Sequence, residues 1–163
     1  MFVHTNTAEE TEAFGAQLAS ARAEQDNTFG VVYLNGELGA GKTTLTRGLL
    51  RALGVAGAVR SPTYTLVEIY ETGALTTLHL DLYRLSDPAE LDSRGLREWA
   101  REGHLWLIEW PERGIGRLPR ADLIVKLAAG DHGHDIEVSA TTALGASWLR
   151  RLAGSSAAAA SGS

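Results

Sequence analysis

The stretch Gly36-Glu37-Leu38-Gly39-Ala40-Gly41-Lys42-Thr43 constrains this chain more than any other. It reads G-x-x-x-x-G-K-[ST], the phosphate-binding P-loop, which works only between a buried strand and the start of a helix. Both flanks are present. The apolar run Gly30-Val31-Val32-Tyr33-Leu34 precedes it, and Leu45, Leu49 and Leu53 then share one helical face. Glycines let backbone N–H groups curl around a phosphate chain without Cβ clashes. A helix opening near Lys42 adds roughly half an elementary positive charge at its N-terminus. In such a loop the lysine, here Lys42, reaches the β- and γ-phosphates, and the hydroxyl, here Thr43, binds Mg²⁺.

A chain of 163 residues, 44% hydrophobic and 21% charged, suits one soluble domain, expected over residues 1–153. It has no Cys, which excludes disulfides, thiolate metal sites and cysteine nucleophiles. No apolar run is long enough to span a bilayer, and Met1-Phe2-Val3-His4-Thr5 lacks a basic start and a hydrophobic signal core. A cytoplasmic protein with no membrane partner is expected. The net charge of −5 argues against a nonspecific grip on nucleic acid, so any RNA contact would come through a partner.

Thr7-Ala8-Glu9-Glu10 has capping-box spacing, and an amphipathic helix is expected from residue 8 to about 24. After the strand at 30–35, the P-loop and a helix over 42–53, Gly54 reads as a C-cap. Residues 55–64 form a loop carrying Ser61, Thr63 and Tyr64; it reads equally as a segment over the γ-phosphate or as a solvated connection. Thr65–Tyr70 and Leu75–Tyr83 alternate around Glu71-Thr72-Gly73, an antiparallel hairpin. Ser86-Asp87-Pro88 starts a helical region, broken at Gly95, that runs to about Glu102. The continuous apolar strand over 104–110 predicts burial on both faces, as in a parallel sheet. Leu123-Ile124-Val125 and Ile136-Glu137-Val138 read as strands, and Thr141–Leu152 as a helix. Residues 154–163 read as a disordered low-complexity tail. The expected fold class is α/β: a P-loop NTPase-like three-layer fold with a mixed, mostly parallel sheet and an inserted antiparallel hairpin.

A P-loop site needs an acid at the end of a neighbouring buried strand. Two qualify. Glu109 ends Leu105-Trp106-Leu107-Ile108 and is assigned to Mg²⁺, and Asp81, in Leu78-His79-Leu80-Asp81, is assigned to the outer metal shell or to the attacking water. Exchanging the strands would exchange the roles. His79 reads as structural and Trp110 as packing beside the site. Arg113, Arg117 and Arg120 read as a solvated loop, with a phosphate or partner contact as the alternative.

Four segments in series carry a resemblance: Gly36 to Thr44, Ser61-Pro62-Thr63-Tyr64, His79-Leu80-Asp81-Leu82-Tyr83-Arg84-Leu85 and Ile108-Glu109-Trp110-Pro111-Glu112. Over roughly residues 5–140 the chain resembles the TsaE (YjeE) family of bacterial P-loop ATPases of tRNA threonylcarbamoyladenosine synthesis. The resemblance implies ATP and Mg²⁺ as ligands, weak hydrolysis alone, and work with the TsaD and TsaB proteins. Those partners modify the adenosine beside the anticodon of ANN-decoding tRNAs, and hydrolysis would reset their complex; tRNA is touched only indirectly. By motif it implies nucleotide contacts from Gly36, Glu37, Leu38, Gly39, Ala40, Gly41, Lys42, Thr43 and Thr44. Thr43 and Glu109 would bind Mg²⁺, and Asp81, Lys42 and Glu109 would be catalytic. A Thr in the family's N-terminal helix is matched by Thr11, and a frequent Gly-Arg pair is here Gly133-His134, which puts His134 beside the nucleotide. The isolated chain is expected to be a monomer. The competing class is a small-molecule or nucleoside kinase, with residues 113–120 as a short arginine lid.

Overall fold

The computed structural model describes residues 1–22 and 27–162. Seven strands form one sheet: β1 (Phe2–Thr5), β2 (Gly30–Asn35), β3 (Val67–Thr72), β4 (Leu75–Asp81), β5 (His104–Glu109), β6 (Leu123–Ala129) and β7 (His134–Ala140). Their order is β1-β7-β6-β2-β5-β4-β3. The pairs β6–β2, β2–β5 and β5–β4 are parallel; β1–β7, β7–β6 and β4–β3 are antiparallel. The sheet is therefore evenly mixed, not mostly parallel as expected. Two of the antiparallel pairs are hairpins, since short turns can join only antiparallel neighbours, and the third sets β1 against the distant β7. The β3–β4 hairpin turns at Gly73 (φ 58°), and β6–β7 turns through Gly133 (φ 79°).

Strand alternation divides the core. Val32, Leu34, Leu105 and Leu107 pack with helices α1 (Ala8–Ala21), α2 (Lys42–Ala52) and α3 (Ala143–Ser161) on one face. Val31, Leu78, Leu80, Trp106 and Ile108 pack on the other, under Leu85 and Leu91. All six residues of β5 are buried, as its apolar run requires. Because side chains alternate, Glu109 lies on the face of Leu105 and Leu107, toward the helices.

Local chemistry explains most boundaries. Thr7 Oγ1 accepts from the Glu10 amide at 3.1 Å, while the Glu10 carboxylate accepts from the Asn6 amide at 2.6 Å, one residue earlier than a capping box places it. The helix expected from residue 8 to about 24 ends at Ala21, where Arg22 turns extended (ψ 126°); residues 23–26 lie outside the described residues. The region after Ser86 is 3₁₀, over Pro88–Arg94 and Leu96–Trp99, with its break at Gly95 (φ 65°). The expected disordered tail is corrected through Ser161, where it continues α3. Its Ala157–Ala160 run has the highest intrinsic helix propensity, and Ser155 and Ser161 donate to carbonyls four residues back at 3.0 Å each. Strand β1, which no sequence pattern announced, pairs with β7 from Phe2 to Thr5. No helix among the described residues is long and apolar enough to cross a membrane.

Candidate nucleotide-binding site

Asn35, Asp81 and Glu109 stand at the C-terminal ends of β2, β4 and β5, the edge where open α/β sheets bind ligands. The P-loop leaves β2 there and turns into α2. Gly36 passes so close to β6 that a Cβ would lie 2.5 Å from the Leu127 carbonyl oxygen. Gly41 has φ 100°, and a Cβ there would meet the His134 ring at 2.9 Å. These are places only glycine fits.

Lys42 is 5% exposed. Its ammonium donates to the Gly36 carbonyl and, at 2.8 Å, to that of Glu37, and lies 4.7 Å from the centre of the Trp110 ring. Burial holds its pKa below the usual lysine value, opposed by the charges of Glu109, Asp81, Glu112 and Glu37, in decreasing order. Asp81 and Glu109 are direct partners in the β4–β5 register. Asp81 Oδ1 accepts from the Tyr83 amide at 3.0 Å. Its Oδ2 accepts from Ser61 Oγ at 2.6 Å and Thr63 Oγ1 at 3.4 Å. Glu109 is 2% exposed, and its Oε2 lies 2.7 Å from His79 Nε2.

These groups surround a pocket of about 400 Å³. Leu38, Gly39, Ala40, Gly41, Lys42, Thr43, Thr44, Asp81, Glu109 and His134, each named from sequence, line it. Gly36 and Glu37 do not; they hold Lys42 through their carbonyls. Thr11 is also off the wall. It is wholly buried, its Oγ1 lying 2.8 Å from His134 Nδ1 and 2.7 Å from Thr5 Oγ1, so it supports the His134 ring from behind. Ser61 and Thr63 line the pocket too, favouring the closing reading of their loop. Tyr83 and Arg84, in the turn after β4, line it as well, and the sequence reading singles out neither. Trp110 lines the pocket in a left-handed backbone conformation (φ 57°), uncommon for a bulky residue.

Arg113, Arg117 and Arg120 do not line it. Arg113 stacks on Tyr83 and Trp110 at 5.6 and 5.8 Å, Arg117 pairs with Asp92 at 3.0 Å, and Arg120 donates to the Thr141 carbonyl. A lid built from these three has no support.

The donor set fits a nucleotide with Mg²⁺. That ion takes hard oxygens, usually from one or two protein groups plus phosphates and water. Thr43, Glu109 and Asp81 offer such oxygens on one pocket. Among the described residues no cluster of three or more His, Asp or Glu forms a self-sufficient metal cage, and an ion that brings its own phosphate ligands requires none.

Comparison with known proteins gives the family. The family described as "Threonylcarbamoyl adenosine biosynthesis protein TsaE" matches residues 5–136. A Haemophilus influenzae protein named tRNA threonylcarbamoyladenosine biosynthesis protein TsaE is 52% identical over 115 residues, covering 71% of this chain and 73% of its own. The Bacillus subtilis protein of the same name is 39% identical over 133 residues, covering 81% and 80%. The crystal structure of Bacillus subtilis YdiB superposes with a TM-score of 0.78 at 30% identity, over 96% of this chain and 95% of that one. The chain belongs to the TsaE family, a P-loop ATPase family of threonylcarbamoyl adenosine biosynthesis.

Proposed function

We propose that the protein binds and hydrolyses ATP with Mg²⁺ in this pocket. It does so for the threonylcarbamoylation of the adenosine beside the anticodon in ANN-decoding tRNAs. The observation that carries the reading is the convergence of Lys42, Thr43, Asp81 and Glu109, from three separate elements, on one glycine-lined pocket. Lys42 exchanges its two carbonyl partners for phosphate oxygens. Thr43 and Glu109 hold the metal, and Asp81, fixed by three donors, orients the attacking water or the metal's outer shell. When bound, Mg²⁺ neutralises charge between the β- and γ-phosphates. The cytoplasmic partners are TsaD and TsaB proteins, and hydrolysis resets their complex; family membership alone supports this. A net charge of −5 favours reaching tRNA through those partners.

The test is phosphate release from ATP, alone and with TsaB and TsaD proteins present, alongside a nucleoside phosphorylation screen. Thr43→Ala and Glu109→Ala are expected to lose Mg²⁺-dependent turnover while remaining folded. Efficient transfer to a nucleoside without partners would refute the proposal in favour of a kinase. Unchanged turnover in Glu109→Ala would move the metal role to Asp81.

A further inference from the structure

We propose that His79 is a positioning residue that fixes the Glu109 carboxylate for the metal. The inference rests on reading Glu109 as a Mg²⁺ ligand. Glu109 pairs with Asp81 across β4–β5, and His79 pairs with Leu107. His79 and Glu109 are thus diagonal neighbours on the face that looks toward the helices and the P-loop. His79 is wholly buried, and its Nε2 lies 2.7 Å from Glu109 Oε2. A carboxylate accepts, so Nε2 carries the hydrogen. With Oε2 engaged, Oε1 is the oxygen left to face the pocket that Glu109 lines.

The other ring nitrogen is informative. Nδ1 is buried with no hydrogen-bond partner among the described residues. A buried polar atom left unpaired costs its missing hydrogen bond, so packing alone would favour an apolar side chain here. The flanking β4 residues Leu78 and Leu80 are of that kind, on the opposite face. The ring accepts this cost for a single polar contact, and that contact is the acid. Partners that orient metal ligands in this way set affinity as well as geometry.

The test uses the full chain with Mn²⁺ as probe. Four forms are compared: wild type, His79→Leu, His79→Gln and Glu109→Gln, each first shown to be folded by circular dichroism. ATP binding is measured without metal, and Mn²⁺ binding to the ATP-loaded protein is measured by electron paramagnetic resonance. His79→Leu is expected to weaken Mn²⁺ binding about 10- to 100-fold, with metal-free ATP binding unchanged. His79→Gln, whose amide can donate as Nε2 does, restores most of it. If His79→Leu does not fold, His79→Asn, too short to reach Oε2, replaces it with the same expectation. Histidine nitrogen NMR of the metal-free wild type should place the hydrogen on Nε2 and show that signal moving in Glu109→Gln. Undiminished Mn²⁺ affinity in a folded His79→Leu or His79→Asn, while Glu109→Gln loses it, overturns this inference alone. Undiminished affinity in Glu109→Gln overturns the metal reading and, with it, this inference. A ring hydrogen found on Nδ1 alone, with Nε2 bare, also refutes it.

Discussion

Gly48→Ala sets two physical effects against each other. Gly48 sits inside α2, where alanine is favoured over glycine by about 0.8–1 kcal/mol. Propensity alone therefore predicts a more stable protein. A Cβ at Gly48, however, would stand 1.9 Å from the Glu12 carbonyl oxygen of α1 and 2.6 Å from its carbon. The contact is reciprocal, because a Cβ at Gly15 of α1 would lie 2.1 Å from the Leu45 carbonyl oxygen. Backbone has no rotamer to give way. A carbon–oxygen contact needs roughly 3.3 Å, so the helices must part by more than 1 Å. Phe14, Leu18, Leu45 and Leu49, all buried beneath the crossing, then lose contact. Overpacking of this kind costs about 1–3 kcal/mol and sometimes more. A backbone clash this deep belongs at or above the top of that range, leaving a net loss of about 2 kcal/mol. For a domain of this size that is about 4–8 °C in melting temperature. Gly154→Ala is the control: it lies within α3, and among the described residues nothing beyond its own helix backbone comes within 4 Å of an added Cβ. It should gain up to about 1 kcal/mol. Melting both variants by circular dichroism decides the matter. A Gly48→Ala protein that melts no lower than wild type refutes the close-crossing argument.

Other expectations follow from single groups. Asp122, 9% exposed, accepts from the Val31 amide at 2.8 Å and Thr142 Oγ1 at 2.6 Å. Asp122→Ala strands that amide and should cost about 1–3 kcal/mol in a urea titration. Since burial lowers the Lys42 pKa, the folded state disfavours its charged form, and stability from this group rises as pH climbs through the lowered value. ATP affinity should correspondingly begin to fall at a pH below the ordinary lysine range, measured by equilibrium binding. His4 has its pKa raised by hydrogen bonding to Asp135, 2.7 Å away. Its contribution is fully present below the ordinary value of 6.5 and is lost as pH rises through the raised one. An NMR titration should show the His4 value dropping in Asp135→Asn.

The legible parts of the molecule are those encoded locally. The P-loop needs only eight consecutive residues, and a buried strand such as β5 needs only its own apolar run, so both are visible in the sequence. Glu109 is findable because it ends such a run, whereas Asp81 lies within an alternating one and only the structure ends β4 there. What pairs with what is not local. The His79–Glu109 bond depends on β4 lying beside β5, and nothing in either strand states that neighbour. The same holds for β1, whose four residues gain their identity from β7 at the far end of the chain. Thr11 was named by resemblance, and only the placement of β7 shows that it reaches the pocket through His134. The tail reads as low-complexity, yet the alanines that impoverish it also favour helix.

Sequence assigns the metal to Glu109, with the roles exchanging if the strands do, and the two hydrogen-bond sets bear on that choice. Asp81 and Glu109 are register partners on one pocket, so position does not separate them. Their donors do. Both oxygens of Asp81 are occupied, one by the Tyr83 amide and one by the hydroxyls of Ser61 and Thr63. A metal taking Asp81 directly would have to displace at least one of these bonds, and losing the hydroxyls would release the loop they anchor. Glu109 has one oxygen bound to a wholly buried imidazole on the neighbouring strand, whose withdrawal would leave two buried groups unpaired. Its other oxygen can meet a cation without breaking anything. The arrangement favours Glu109 as the direct ligand. On the proposed reading it leaves Asp81, held by Ser61 and Thr63, to the metal's outer shell or the attacking water.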